Sequence, residues 1–290
     1  MNVHTHNYLN NILAVYLLWM GVLGRAYSFL LSVAYRLASR IQTPFYQSYL
    51  LRTVRSGPIP KHVALILDGN RRFASAVGLS LEESYYLGAR KVEEILSWCE
   101  ELGIEHVTLY SFSTENFNRP RDQVEAVMNR IREELKYALS RIDEFKRRGV
   151  RVRVIGRKEL LPDDIKVLAE RLERETSGNR PKTVNIALAY GGRDEILDAV
   201  RKIALEVQKG ALKPSDINEE LFEKYLYLNG VPEPDLIIRT SGEERISNFL
   251  LWHIAYSELY FCEAYLPSFR KIDFLRAIRD YQRRSRRFGR

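Results

Sequence analysis

The sequence predicts an α/β fold: a single domain with a six-stranded, mainly parallel sheet surrounded by helices. From residue 62 onward, short apolar runs rich in β-branched residues alternate with charged segments of helical period. Such alternation indicates βαβ units, whose parallel sheet is covered by helices on both faces. The composition, 46% hydrophobic and 28% charged, is that of a globular protein with a sizeable core. No internal repeat or low-complexity segment suggests another architecture.

Each element follows from this alternation. The apolar runs predict strands at His62–Leu67, His106–Phe112, Val150–Ile155, Thr183–Tyr190, Asp235–Ile238 and Glu258–Tyr265. The charged segments between them predict helices at about 82–102, 121–148, 162–177, 193–209, 218–228 and 247–255, and a final basic helix at about 271–285.

Residues 1–55 are predicted to be an N-terminal extension, separate from the domain at 56–290. The apolar run 12–24 is shorter than the roughly 20 residues that a membrane-spanning helix needs. Polar residues then recur on one helical face, which predicts an amphipathic helix lying in a membrane interface. A segment packed on the protein's own core and an arginine-rich targeting peptide are the alternatives. Prolines in "SGPIPKH" at 56–62 predict a linker.

The net charge of +8 is concentrated at the two ends of the chain. Residues 1–61 contain six Lys or Arg and no acid, whereas 270–290 contain nine Lys or Arg and two acids. Nucleic acid is not an expected partner, because a nucleic-acid-binding domain usually carries its basic stripe on the folded body. Basic ends suit an anionic membrane surface or a phosphate-bearing substrate. Two widely separated cysteines fit neither a zinc site nor a disulfide framework, which favours a reducing compartment, the cytoplasm. Together with the basic ends and the N-terminal segment, this predicts a cytoplasmic protein that is peripheral at the membrane.

The residues after the predicted strands are where a ligand is expected, because open parallel sheets bind ligands beyond the carboxyl ends of their strands. Asp68 and Gly69 follow the first strand. The acid offers an oxygen for Mg²⁺, and the glycine permits a tight turn and close approach of a ligand. Asn70 is expected to cap the next helix, and Arg71 and Arg72 add positive charge.

Arginines, small hydroxyls and glycines also follow the second, fourth and fifth strands, in "SFSTENFNRP" (111–120), "YGGRDEI" (190–196) and "IIRTSGEERISNF" (238–249). Arginine forks suit phosphate oxygens, and Mg²⁺ neutralises charge that they do not reach. Each motif alone fits a turn or a solvated helix, but together they predict a site for one or two diphosphates. The chain has no P-loop, no G-x-G-x-x-G after a strand and no G-x-S-x-G elbow, which disfavours NTPases, dinucleotide-dependent enzymes and triad hydrolases.

Four segments together resemble the cis-prenyltransferases, the undecaprenyl and dehydrodolichyl diphosphate synthases: "HVALILDGNRRFA", "LYSFSTENFNRP", "NIALAYGGRDEI" and "DLIIRTSGEERISNFLLWHIAYSELYF". The resemblance runs from about Pro58 to Arg290. It implies a Mg²⁺-dependent prenyltransferase that adds isopentenyl diphosphate repeatedly to an allylic diphosphate primer, farnesyl or geranylgeranyl, with cis double bonds. The product is a long-chain polyprenyl diphosphate, a carrier-lipid precursor. A homodimer and a hydrophobic tunnel for the growing chain are also implied.

The resemblance further implies roles for individual residues. Asp68 matches the aspartate that handles Mg²⁺ and the allylic diphosphate, and Asn116 matches the residue proposed to assist proton removal. Glu258 matches a second Mg²⁺ ligand that approaches from the dimer partner, and 287–289 matches a C-terminal Arg-x-Gly that reaches across the dimer. The expected substrate-binding residues are Gly69, Asn70, Arg71, Arg72, Phe73, Ser113, Thr114, Glu115, Phe117, Arg119, Arg239, Arg245, Ile246 and Ser247.

Three positions depart from the bacterial pattern. Leu81 and Tyr85 stand where bacterial members have an arginine and a histidine, and Arg71 replaces a glycine, as in the archaeal and eukaryotic branches. A catalytically inactive partner subunit is therefore one alternative, although the presence of Asp68 and Arg239 argues against it. A basic adaptor for nucleic acid or membrane, acting through the charged ends, is the other. Its binding would survive Asp68→Ala.

Overall fold

The computed structural model describes residues 44–284. The chain divides into two units, with the boundary between Arg52 and Thr53. Residues 44–55 form helix α1. None of the helices within 44–284 is long and apolar enough to cross a membrane. The predicted interfacial helix and the Arg-x-Gly at 287–289 lie outside the described residues.

Six parallel strands form one sheet in the spatial order β3-β4-β2-β1-β5-β6, which confirms the predicted fold class. The strands are rich in valine, leucine and isoleucine because both faces of a parallel sheet are buried beneath helices. Their bounds are β1 His62–Ile66, β2 His106–Tyr110, β3 Val150–Ile155, β4 Lys182–Ala187, β5 Leu236–Arg239 and β6 Glu258–Phe261.

Eight further helices complete the described fold. The predicted helix at 121–148 is two helices, because Arg141 leaves helical geometry between them. The longest helix begins at a capping box, in which the Ser80 hydroxyl accepts from the Glu83 backbone and the Glu83 carboxylate accepts from the Ser80 backbone. The bounds are α2 Asn70–Val77, α3 Leu81–Glu101, α4 Arg121–Ser140, α5 Ile142–Arg148, α6 Asp163–Thr176, α7 Gly192–Gln208, α8 Glu219–Tyr225 and α9 Lys271–Arg283.

The helix predicted at 247–255 is wrong, because this segment forms a series of turns. Ser247, Asn248 and Leu250 have φ values of +47°, +61° and +47°, which a right-handed helix does not allow. Phe249 and Leu250 are fully buried against the sheet. The apolar residues that suggested a helix therefore reflect the burial of a loop.

β1 lies at the point where the strand order reverses. Its neighbours are β2 on one side and β5 on the other, so successive segments of the chain leave the central strand in opposite directions. A crevice forms beyond the carboxyl end of a strand in this position, and ligands of open α/β sheets bind there. Asp68 and Gly69 follow directly after β1 and therefore lie at the crevice.

A buried chain of hydrogen bonds crosses the middle of the sheet, from Asn185 on β4 through Thr108 on β2 to His62 on β1. The Asn185 amide donates to the Thr108 hydroxyl over 3.0 Å, and that hydroxyl lies 2.8 Å from His62 Nε2. The carbonyl oxygen of Pro232 lies 2.6 Å from His62 Nδ1 and must accept from it, so the ring is neutral with its proton on Nδ1. Burial is the main cause that lowers the pKa of His62 to about 4.

Acid is expected to destabilise the fold through His62. Its pKa is lower in the folded protein than in the unfolded chain, so its contribution to stability is complete above pH 6.5 and is lost as the pH falls towards 4. The loss amounts to about 3 kcal/mol over that range. Urea unfolding of the wild type and of His62→Gln at pH 7 and pH 4.5 measures it. The same acid-induced loss in both proteins would contradict the prediction.

Candidate active site

The loop after β1 brings backbone and charge to the crevice. Gly69 has a φ of +107°, and a Cβ there would lie 2.8 Å from the Tyr265 ring and 3.0 Å from Ser241. Its backbone nitrogen donates to Asp68 Oδ1 over 2.7 Å. Only glycine fits this conformation in this space, so the chain can turn tightly and present Asp68 to the crevice.

The prediction that Asn70 caps α2 is wrong. Asn70 is already the first helical residue, and Gly69 occupies the cap position. Its side chain instead lies against α3. A Cβ on Gly88 would come within 2.4 Å of Asn70 Oδ1. The Ser84 hydroxyl donates to the backbone carbonyl of Asn70 over 2.7 Å. The glycine in α3 therefore lets the two helices meet closely at the wall of the crevice.

Asp68 is ionised and held by two arginines from different parts of the chain. Arg239, at the end of the neighbouring strand β5, donates to Asp68 Oδ2 over 2.8 Å, and Arg72 approaches the same oxygen at 3.3 Å. Burial opposes ionisation of the carboxyl. The hydrogen bond and charge of Arg239, helped by Ser241 and Arg72, outweigh burial and hold the pKa of Asp68 below its usual value.

Arg239 also connects Asp68 to the loop after β5. Its side chain is only 4% exposed. Its Nη1 donates to Ser247 Oγ over 2.8 Å and to the backbone carbonyl of Arg245. A buried guanidinium with donors fixed in this way orients two groups at once, the carboxylate on β1 and the hydroxyl on the β5 loop.

Glu243 is the second acid at the mouth of the crevice. Its Oε1 accepts from Arg72 Nη1 over 2.6 Å, and its Oε2 accepts from Arg245 Nη1. Glu243 and Asp68 together pair with three arginines, namely Arg72, Arg239 and Arg245.

Arg71 and Arg119 differ from the three paired arginines, because within residues 44–284 neither makes a salt bridge with an acid. Arg119 follows the β2 loop and lies near Tyr85 of α3. Burial and the charge of Arg71 lower the pKa of the Arg119 guanidinium. Two neighbouring cations without an acidic partner leave an excess of positive charge, which suits an anion such as a phosphate.

The β2 loop forms a short 3₁₀ helix, Thr114–Asn118, whose polar side chains link neighbouring loops. Asn116 Oδ1 accepts from the Ser113 backbone at 3.3 Å. The Thr114 hydroxyl donates to Asp194 Oδ2 over 2.9 Å. These contacts fix the loop across the ends of β2 and β4.

Asn248 joins three of the loops. Its backbone carbonyl accepts from Gly192 N over 2.7 Å, and its side-chain oxygen accepts from Arg193 N over 2.9 Å. Its side-chain nitrogen donates to Glu115 Oε1 over 2.7 Å. Two of the N-terminal amides of α7, those of Gly192 and Arg193, therefore donate to Asn248 and are not available to a phosphate. This residue was not predicted, although it lies within the β5 motif beside Ser247.

A cavity of about 1300 Å³ extends from the crevice between the sheet and helices α3 and α4. Apolar side chains from β2, β4, α3 and α4 line its walls, including Leu109, Ile186, Val92 and Leu135. Its far end reaches the amino ends of the strands. There Glu100 accepts hydrogen bonds from Arg148 and from Lys182, the latter over 2.7 Å. The lining is therefore mainly apolar, with charged residues at both ends and also at Glu93 of α3, at Arg130 and Glu134 of α4, and at Arg141 just after α4.

Most of the predicted site residues meet at this cavity. Asp68 and eleven of the others line it: Gly69, Asn70, Arg71, Arg72, Ser113, Glu115, Asn116, Arg119, Arg239, Arg245 and Ser247. Phe73, Thr114, Phe117 and Ile246 are not among the lining residues. Phe117 packs edge-on against Phe112 at 4.9 Å between ring centroids.

Glu258 lies apart from Asp68. It begins β6 opposite Leu236, at the amino end of β5, whereas Arg239 at the carboxyl end of β5 contacts Asp68. Glu258 pairs with Arg284 over 2.8 Å. Within one chain the two predicted metal ligands are therefore not together.

Comparison with known proteins agrees with the resemblance. Residues 66–289 match the family described as "Putative undecaprenyl diphosphate synthase". A tritrans,polycis-undecaprenyl-diphosphate synthase (geranylgeranyl-diphosphate specific) of Thermococcus kodakarensis is 54% identical over 245 residues, covering 84% of this chain and 92% of that protein. An isoprenyl transferase of Thermus thermophilus is 50% identical over 249 residues, covering 84% of this chain and 94% of that protein.

Two solved structures of diphosphate synthases also resemble this chain. Lavandulyl diphosphate synthase from Lavandula x intermedia, in complex with dimethylallyl diphosphate, superposes with a TM-score of 0.76 and 36% identity, covering 80% of this chain and 99% of that one. A probable undecaprenyl diphosphate synthase from Campylobacter jejuni gives 0.66 and 32%, covering 80% and 100%.

The relatives show that the protein is a prenyltransferase, and the parallel sheet with an arginine-lined crevice at its switch point is consistent with that class. The chain belongs to the undecaprenyl diphosphate synthase family.

Proposed function

We propose that this protein extends an allylic diphosphate, preferentially geranylgeranyl diphosphate, with successive isopentenyl units to a long cis-polyprenyl diphosphate. The observation that carries the proposal is one continuous cavity of about 1300 Å³, arginine-lined at the crevice and mainly apolar beyond it. The primer follows from the relative in Thermococcus kodakarensis, which is named as specific for geranylgeranyl diphosphate.

Two diphosphates are assigned to two groups of cations. The allylic diphosphate binds beside Asp68, Asn70, Arg71 and Arg72, and isopentenyl diphosphate binds beside Arg239, Arg245 and Ser247. Fixed guanidinium groups around the allylic diphosphate stabilise the charge that develops as its carbon–oxygen bond breaks. The prenyl tail lies along the apolar wall, which holds the reacting carbons of the two substrates together and excludes water.

The proton released in each addition goes to a weak base. Asn116 is placed at the crevice, but its side-chain oxygen already accepts a hydrogen bond from Ser113. A carboxamide is not basic, so the departing diphosphate is the better acceptor and Asn116 orients the substrate.

The donor set fits Mg²⁺. Within residues 44–284 no three His, Cys, Asp or Glu side chains cluster as a metal site. Mg²⁺ usually takes one or two carboxylates together with substrate phosphates, and the ionised carboxylate of Asp68 at the crevice supplies that requirement. When bound, the ion would neutralise charge on the departing diphosphate. Glu258 would join this site only from a second copy of the chain, in the homodimer that we also propose.

Membrane association is part of the proposal. The product is a long hydrocarbon that partitions into lipid, and the acid-free, basic N-terminal segment suits an anionic surface. We therefore expect the protein to act as a peripheral membrane enzyme in the cytoplasm.

Incorporation of radiolabelled isopentenyl diphosphate by the purified full chain tests the proposal. Farnesyl and geranylgeranyl diphosphate are compared as primers, with Mg²⁺ or EDTA, and product lengths are resolved. Long products, formed fastest from geranylgeranyl diphosphate and absent with EDTA, are expected. No incorporation by folded protein with either primer would overturn the proposal and favour an inactive partner subunit.

A further inference from the structure

One carboxylate at the mouth of the crevice holds two arginines that belong to different diphosphates in the proposed function. Glu243 Oε1 lies 2.6 Å from Arg72 Nη1, and Glu243 Oε2 accepts from Arg245 Nη1. The hydrogen bond from Arg245 and the charges of both arginines hold the pKa of Glu243 below its usual value. The side chain is 29% exposed, so it can swing into solvent.

The two oxygens of Glu243 use the guanidinium donors that a phosphate would use. Carboxylates and phosphates both accept paired hydrogen bonds from arginine, and the donors available are the same in each case. A diphosphate that binds Arg72 or Arg245 through the Nη1 group that holds Glu243 must therefore displace Glu243 from that arginine. If Glu243 stayed in place, its charge would also repel the incoming anion.

We propose that Glu243 is an internal counter-ion, which occupies the diphosphate-binding arginines in the free protein and is displaced by substrate. This inference rests on the proposed function, since it takes diphosphates as the ligands. Because one side chain spans both arginines, the first diphosphate to bind frees the arginine of the second. Glu243 therefore lowers the affinity for the first diphosphate and couples the two sites.

The same substitution at the neighbouring residue provides a matched control. Glu244 is exposed, and its side chain makes no salt bridge or hydrogen bond with the part of the chain that the structure describes, residues 44–284. Glu243→Gln and Glu244→Gln each remove one negative charge from the same loop. Any general effect of net charge on anion binding appears in both variants, and only Glu243→Gln removes the carboxylate that the two arginines share.

Binding of inorganic diphosphate, measured by titration calorimetry without turnover, tests the inference. Breaking an exposed ion pair changes an equilibrium constant by a factor of about two to five. Diphosphate no longer has to break the pairs with Glu243, so Glu243→Gln should bind it roughly fivefold more tightly than the wild type. Glu244→Gln should change the affinity less than twofold. Affinity in Glu243→Gln equal to that of Glu244→Gln, or weaker than that of the wild type, would overturn the inference.

Titrations with and without Mg²⁺ distinguish a counter-ion from a metal ligand. The titrations are made in EDTA and repeated with Mg²⁺, and the gain of Glu243→Gln should persist in both. A loss of affinity confined to the Mg²⁺ arm would identify Glu243 as a metal ligand and overturn its role as a counter-ion. No binding of diphosphate by the wild type in either arm would overturn the proposed function itself, and the inference with it.

Discussion

Asp68→Asn is expected to reduce prenyl transfer by about 10³-fold or more while leaving the fold intact. The amide keeps the shape of the carboxylate and can still accept from Arg239, which lies 2.8 Å away in the wild type. It removes the negative charge that is proposed to hold Mg²⁺ at the allylic diphosphate. The variant should therefore need more Mg²⁺ and have a lower kcat, and raising the Mg²⁺ concentration should restore only part of the activity. Steady-state kinetics over a range of Mg²⁺ concentrations measure both effects.

The control for Asp68 is the same change at Asp163, whose side chain is 97% exposed at the start of α6. Asp163→Asn should retain wild-type activity. Thermal unfolding of both variants checks the fold. Activity of Asp68→Asn within threefold of the wild type would contradict the role of Asp68 as the metal-binding carboxylate.

Asn248→Asp is expected to reduce kcat/KM by about 10²-fold, mainly through a higher KM for isopentenyl diphosphate. The backbone tolerates the change, since Asn and Asp both adopt a φ near the +61° found here. The Asp side chain can still accept from Arg193 N but no longer donates to Glu115. Two carboxylates would then face each other at the 2.7 Å contact and push the β2 and β5 loops apart.

A double variant distinguishes this positioning role from simple damage to the fold. Glu115→Gln alone keeps an oxygen that can accept from Asn248, so it should have a small effect. Combined with Asn248→Asp, the new amide can donate to the new carboxylate and restore a hydrogen bond in the reverse direction. Recovery of at least part of the KM in the double variant is expected, and a further loss in the double variant would argue against the loop contact.

The sequence was sufficient to predict the strands and the β1 loop, because both depend on neighbouring residues. The predicted ends of the strands were less accurate. The fourth strand was predicted to run to Tyr190 but ends at Ala187. Leu188, Ala189 and Tyr190 are fully buried and apolar, like strand residues, although they lie in a loop. Hydrophobicity reports burial, and it does not separate a buried strand from a buried loop.

The contacts within the site could not be predicted, because they join loops that are distant in sequence. Arg239 and Asp68 are 171 residues apart, and Asn248 and Glu115 are 133 apart. The strand order places these loops side by side, and no local pattern encodes that order. Glu243 and Asn248 lie in the same motif as Arg239, Arg245 and Ser247. The motif predicts arginines and hydroxyls as phosphate ligands, and it does not indicate that an acid and an amide position those ligands.

The apolar cavity has a consequence for how long each intermediate remains bound. Every added five-carbon unit that enters the cavity removes apolar surface from water, worth about 4 kcal/mol at ~0.8 kcal/mol per methylene. If the growing chain occupies the cavity as proposed, intermediates are expected to dissociate more slowly as they lengthen, and synthesis is expected to change from distributive to processive within a few additions. On this proposal the gain falls off where the lining becomes charged at the far end, at Glu100, Arg148 and Lys182. Beyond that point further growth no longer tightens binding, and release can compete with elongation.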